Sequence, residues 1–269
     1  MRNWELEQPL SKIRIGAVSY LNTVPLVWGM LHGPQREKVD LSFSIPSVCA
    51  LEIEEGTIQA GLAPVAEVAR QGLAVVPGVG IACRGPVRSI LLFSRVPWRE
   101  VRTLAADRSS RTSVHLARVI LRERYGVEPQ IAQHEPILPE MLSAADAALL
   151  IGDPALRADP EQLGFDWLDL GAEWLALTGL PMVFAVWAAK PGLPLESLSA
   201  ITHGSYQFGK GRLGEIVESE HAAHRVTREL AERYLRHHIQ FEIGAKEEEG
   251  MRAFRELANL AKPALVART

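Results

Sequence analysis

The sequence predicts an α/β protein of two lobes with a ligand cleft between them. Three observations support this. Strand-like and helix-like segments alternate from Ile13 onward, the order expected of parallel sheets covered by helices. The alternation restarts near residue 99 after two consecutive β-rich runs. Unusual clusters of hydroxyl and amide side chains fall where strands run into helices, which is where open α/β sheets bind ligands.

The elements follow in order. "KIRIGAV" alternates Ile13, Ile15 and Ala17 as a short strand. It breaks into the polar stretch Ser19-Tyr20-Leu21-Asn22-Thr23 before an apolar helical segment from Pro25. Proline suits the first helical turn, so Thr23 is the expected cap. "VDLSFSIP" reads as a second strand, and "PSVCALEIEEG" as a helix stopped by Gly56. "IQAGLAPVAEVARQG" reads as strand, turn at Pro64, and helix to Gly72. "GVGIACRGPVRSILLFSR" supplies two β-runs around Gly85-Pro86. The unit then restarts with "VRTLAAD", "SSRTSVHLARVILRERYG" and "PQIAQHE" as strand, helix and strand. "ILPEMLSAADAALLIGDPAL" adds a helix and a strand to Ile151, and "TGLPMVFAVWAAK" is the last strong β-run. The remainder reads as predominantly helical, with i, i+4 charge pairs and an apolar stripe. These elements divide the chain into residues 1–95 for the first part of lobe I and 96–190 for lobe II. Residues 191–269 supply the C-terminal helices of lobe I, with crossings near Ser94–Pro97 and Ala188–Pro191.

The 269 residues are 47% hydrophobic and 23% charged, enough apolar matter for a large core. A formal charge of −3 gives no sign of a nucleic-acid or membrane surface. "MRNWELEQPLSK" lacks the apolar region of a secretory signal, and no apolar run approaches the roughly 18 residues of a membrane helix. The expected location is the cytoplasm. Cys49 and Cys83, the two cysteines, are expected to be reduced, buried and structural.

The clusters carry the chemistry. One polar residue suffices to cap a helix, yet Ser109, Ser110, Arg111, Thr112 and Ser113 stand together at a helix start. A helix N-terminus offers free N–H groups and partial positive charge. With the hydroxyls of Ser110, Thr112 and Ser113 and the Arg111 guanidinium added, the cluster is expected to cradle a carboxylate or phosphate. Similar positions are held by Ser19, Tyr20, Asn22 and Thr23 after the first strand, and by Ser89 beyond Gly85-Pro86. Asp153 ends another strand, and Thr178-Gly179 precedes the last. Taken alone, Asn22 is also a turn residue, Asp153 a helix cap and Glu67 a solvent-facing or helix-capping carboxylate. The histidines form no set with metal-ligand spacing, so no metal is expected. No nucleophile elbow, P-loop or dinucleotide fingerprint is present, and the glycines of "GVGIACRG" suit turns.

"RIGAVSYLNTVPL", "DRSSRTSVHLARVIL", "DAALLIGDPAL" and "DLGAEWLALTGLPMVFAVW", in this order over residues 12–190, resemble the chorismate dehydratase family of the futalosine route to menaquinone. The resemblance implies a fold like type II periplasmic binding proteins, with a cleft between two α/β lobes. The naphthoate-forming enzyme of the same pathway shares that fold but usually opens with a Ser-Pro-Cys-Pro-Asn-Asp-like segment where this chain has Ser19–Thr23. Met182 departs from the aromatic residue expected in many relatives, although a thioether fills similar apolar space.

The implied reaction is a hydro-lyase step, loss of water from chorismate to give 3-(1-carboxyvinyloxy)benzoate without a cofactor. Ser19, Tyr20, Thr23, Ser110, Arg111, Thr112, Ser113, Thr178 and Gly179 are the candidate substrate-binding residues. Asn22, Ser89 and Asp153 are the candidate catalytic residues. The matched loops contain no histidine, and their carboxylates are Asp107 and Asp153. The proton is therefore taken either by the substrate's own enolpyruvyl carboxylate, the favoured option, or by Asp153. The competing functions are the sibling 1,4-dihydroxy-6-naphthoate synthase and a cytoplasmic, non-catalytic binder of small carboxylates. The expected partner is the small dicarboxylate substrate, with no nucleic acid and no membrane. Oligomeric state is left open.

Overall fold

The structure is a computed structural model, and it describes residues 12–260. The first half of the chain contributes β1 (Ile13–Val18), α1 (Val24–His32), β2 (Val39–Ser44), α2 (Pro46–Glu55), β3 (Ala60–Pro64), α3 (Val65–Gln71), β4 (Ala74–Cys83) and β5 (Ile90–Ser94). Next come β6 (Thr103–Asp107), α4 (Thr112–Ile120), β7 (Gln130–His134), α5 (Leu138–Ala144), β8 (Ala147–Ile151), α6 (Gly152–Arg157), β9 (Asp166–Asp169) and α7 (Leu170–Thr178). The chain closes with β10 (Met182–Ala189), α8 (Leu195–Lys210), α9 (Leu213–Glu220), α10 (Arg228–Arg233), β11 (Gln240–Ile243) and α11 (Ala245–Leu257).

Two sheets organise these elements. One has the order β11-β4-β10-β3-β1-β2, the other β7-β6-β8-β5-β9. β1 runs parallel to β2 and β3, and β6 runs parallel to β7 and β8. β10 and β5 run antiparallel to their neighbours. Runs such as "ILLFS" and "AALLI" lack alternation because all their residues are buried, as expected for strands covered on both faces. An apolar core of Leu62, Trp187, Leu92 and Leu149 spans both sheets. A smaller cluster of Phe93, Leu91 and Met141 packs α5 on the second sheet. Both cysteines are free and buried, as expected.

The strands change sheet earlier than the expected crossings near Ser94–Pro97 and Ala188–Pro191. β5 already belongs to the second sheet, and β10 to the first. The connections are residues 84–89 and 179–181. The shift arises because β5 pairs in full register with β8 through Ile90↔Ile151 to Ser94↔Ala147, while β10 lies between β3 and β4. Pairing partners distant in sequence decide this, and composition does not reveal them.

The C-terminal segment read as helical contains β11, which pairs antiparallel with β4 through Gln240↔Ala82 and Ile243↔Gly78. β9 and α7 were also absent from the expected elements; Asp169 joins them by accepting from the N–H groups of Gly171 and Ala172. Thr23 is not a side-chain cap. A 3-10 turn over Leu21–Thr23 leads directly into α1, and the buried Thr23 hydroxyl makes no hydrogen bond. Among the described residues, no helix is long and apolar enough to cross a membrane.

Candidate active site

The carboxyl ends of β1, β3 and β8 converge on one cavity. Val18, Pro64 and Ile151 line it, together with Ser89, Ile90, Phe184 and Ala185 from the antiparallel strands. Antiparallel pairing explains Ile90 and Ala185, which sit opposite Ile151 and Pro64. A strand start on β5 thus meets a strand end on β8. The cavity is partly open to solvent and leaves about 70 Å³ of internal room accessible to water.

The start of α4 forms one wall. Ser110, Arg111, Thr112 and Ser113 all line the cavity, and the first-turn N–H groups have no acceptor within the helix. Ser110 is 2% exposed, and its hydroxyl has no partner. Thr112 is committed to structure: its hydroxyl donates to the carbonyl of Phe184 at 3.0 Å and accepts from the Ala66 N–H at 3.3 Å. Arg111 donates through Nη1 to the carbonyls of Ser110 and Arg108, and its Nε lies 3.9 Å from Glu67 Oε1. The other Glu67 oxygen is held by Arg70 and Gln71. Among the described residues Arg111 Nη2 has no partner. This wall offers donors and positive charge, which suits a carboxylate.

Tyr20, Asn22 and Ser89 line the facing side. The Tyr20 hydroxyl meets Ser109 Oγ at 2.9 Å, and Ser109 in turn donates to Asp107 Oδ1 at 2.6 Å. Tyr20 therefore donates in this chain. Burial pushes the Tyr20 hydroxyl up to about 12, so it is protonated at neutral pH. Burial likewise raises Asp107 above the usual carboxylate range. The Tyr20 ring rests on Gly152, where an added Cβ would fall 2.5 Å from the ring, and Gly152 has φ +59.

Asn22 donates through Nδ2 to the Tyr234 hydroxyl at 3.0 Å, and Tyr234 donates to Ser89 Oγ at 2.7 Å. Asn22 Oδ1 is buried without a partner. Tyr234 was missed by sequence reasoning. It lies in a π-helical turn, Tyr234–His238, about 145 residues beyond Ser89, and nothing near it marks a site.

Asp153 does not line the cavity. Its Oδ1 accepts from the Leu21 N–H at 3.1 Å, and its Oδ2 meets His224 Nδ1 at 2.6 Å. It joins the second sheet to the loop after β1 and to the segment after α9. Ser19 is exposed, and its N–H and hydroxyl both donate to the Ser44 carbonyl. Thr23 is likewise absent from the lining. Thr178 and Gly179 are a helix terminus: the Thr178 hydroxyl donates to the Trp174 carbonyl and accepts from the Leu180 N–H, while Gly179 at φ 71 ends α7. Their polar character serves the turn into β10. No group of three His, Cys, Asp or Glu side chains suited to a metal occurs among the described residues.

Two α/β lobes with a ligand cavity at the strand ends define the periplasmic binding protein fold. A crystal structure of an Archaeoglobus fulgidus protein superposes with TM-score 0.77 at 15% identity, covering 92% of this chain and 97% of that one. The periplasmic aliphatic sulphonate binding protein of Escherichia coli gives TM-score 0.64 at 14% identity over 93% and 86%. A Candida albicans protein described as having the generic periplasmic binding protein fold gives 0.59 at 9% over 97% and 92%.

The sequence resolves the class further. A profile of the family described as menaquinone biosynthesis matches residues 13–260. A chorismate dehydratase of Thermus thermophilus is 31% identical over 207 residues, 71% of this chain and 75% of that protein. The chain belongs to the menaquinone-biosynthesis family.

Proposed function

We propose that the protein is a chorismate dehydratase, a hydro-lyase that converts chorismate to 3-(1-carboxyvinyloxy)benzoate and water. The observation that carries this reading is the polarity of the cavity. The α4 wall presents donors and a guanidinium, while the lining contains no carboxylate and no imidazole. Such a site holds an anion well but has no ordinary side-chain base of its own.

Chorismate supplies the missing group. Its enolpyruvyl carboxylate takes the C3 proton, the C3–H electron pair enters the ring, and the C4–O bond breaks. The departing hydroxide and the transferred proton leave as water, and the ring becomes aromatic. The protein's contribution is to hold the ring carboxylate on Ser110, Arg111 and the α4 N–H groups and to fix the enolpyruvyl arm near C3. Excluding water from the cavity adds to that positioning. Asp153, with Leu21 and His224 on its two oxygens, serves to hold the lobes together.

In the same reading the two sheets are two lobes that close on the substrate. Residues 84–89 and 179–181 form the hinge. Purified protein given chorismate with excess chelator should release an aromatic product, followed by absorbance and mass. Binding of chorismate without turnover would leave a binding protein and refute the dehydratase.

A further inference from the structure

Asn22 and Ser89 both line the cavity, and each is hydrogen-bonded to Tyr234 behind it. Tyr234 itself is 1% exposed and does not line the cavity. A phenol has one proton to give. Tyr234 gives its proton to Ser89 and accepts from the amide of Asn22. Two consequences follow for the cavity. The Asn22 amide is turned so that Oδ1, buried and unpartnered, is left as an acceptor. Ser89 Oγ already accepts from Tyr234, so the Ser89 proton is free to be donated to a ligand.

This side of the cavity therefore offers an amide acceptor and a hydroxyl donor, whereas the α4 wall adds a guanidinium and helix N–H groups. An alcohol, which both donates and accepts, matches such a pair; a carboxylate, which only accepts, does not. Granted that the cavity is the dehydration site, we propose that Tyr234 is a positioning residue that sets the direction of an Asn22–Tyr234–Ser89 chain. That chain receives the departing hydroxyl of the substrate: Asn22 Oδ1 accepts its proton, and Ser89 donates to its oxygen. Burial raises the Tyr234 hydroxyl above its ordinary value, so the chain keeps its direction through neutral pH.

The test is a set of kinetic double-mutant cycles on folded protein, with thermal unfolding recorded for every variant. Asn22→Ala and Ser89→Ala, which do not bond to each other, should be coupled: the double variant loses clearly less in kcat than the product of the single losses. Tyr234→Phe should lower kcat about 10- to 100-fold with KM changed less than about threefold, the pattern of a contact that acts in the transition state. In the Tyr234→Phe background the Asn22–Ser89 coupling should vanish. Tyr234→Phe with kcat per folded molecule unchanged and only a lower Tm would make the tyrosine structural and overturn the proposal. Should that variant not fold, additive losses from Asn22→Ala and Ser89→Ala overturn it equally. Wild-type protein that binds chorismate without turnover refutes the dehydratase reading instead, so the two failures are distinguishable.

Discussion

Asp153 and His224 meet at 2.6 Å, a carboxylate of the second lobe against an imidazole from the segment between α9 and α10. With Leu21 N–H on the other oxygen, Asp153 ties three parts of the chain together. An asparagine keeps an acceptor for Leu21 and presents its amide to the imidazole. Asp153→Asn is therefore expected to cost about 1–2 kcal/mol of stability and less than about tenfold in kcat. Thermal unfolding and steady-state rates check this. A loss of about 10²–10⁴ in kcat with substrate affinity intact is what a general base would give, and it would remove the substrate-assisted mechanism.

Arg111→Ala should weaken binding more than turnover. Its side chain is 32% exposed and already faces Glu67 at 3.9 Å, so the loss belongs to the range for hydrogen bonds to charged groups, about 1.5–3 kcal/mol. Calorimetric titration with the aromatic product reads it directly. Unchanged affinity would reduce Arg111 to part of the helix start. Asn22→Asp is expected to depress kcat instead, because it places a carboxylate beside an anionic substrate.

Gly152→Ala should hinder closure of the cleft. The added Cβ would lie 2.5–2.7 Å from Tyr20 ring atoms, and φ +59 is unfavourable for alanine. Small-angle scattering of the variant should show a more open particle than wild type, and KM should rise. The same profile and the same KM would mean that the Tyr20–Gly152 contact does not govern closure.

Stability should fall with alkaline pH from about 10 upward. Burial holds the Tyr20 and Tyr234 hydroxyls above the ordinary tyrosine value of 10.0, so the folded state keeps protons that the unfolded chain has begun to lose. Where the folded state binds more protons, stability declines as pH rises. The contribution of Tyr20 is present below pH 10 and is lost as pH climbs toward about 12. Urea unfolding of Tyr20→Phe between pH 9 and 11.5 should show a shallower decline than wild type; an equal slope would count against this origin.

Sequence periodicity determined much of this molecule because helices and buried strands advertise themselves locally. Ile13, Ile15 and Ala17 marked β1, and the order of strands and helices announced two sheets. The crowded polar residues at 109–113 marked a segment of which Ser110, Arg111, Thr112 and Ser113 line the cavity. Other features were settled only by folding. β5 and β10 change sheets through backbone pairing with partners far away in sequence, at Ile90↔Ile151 and Ala63↔Val186, which composition does not reveal. Ser19, Thr23, Thr178 and Asp153 carried the same polar signal as the cavity residues, yet their groups are engaged in turns and lobe contacts or buried apart from the cavity. Type and spacing identify a side chain that can hydrogen-bond, while the direction in which it points depends on packing. Tyr234 is the clearest case. A phenol in an amphipathic helical segment reads as core, and only the tertiary fold brings its hydroxyl between Asn22 and Ser89.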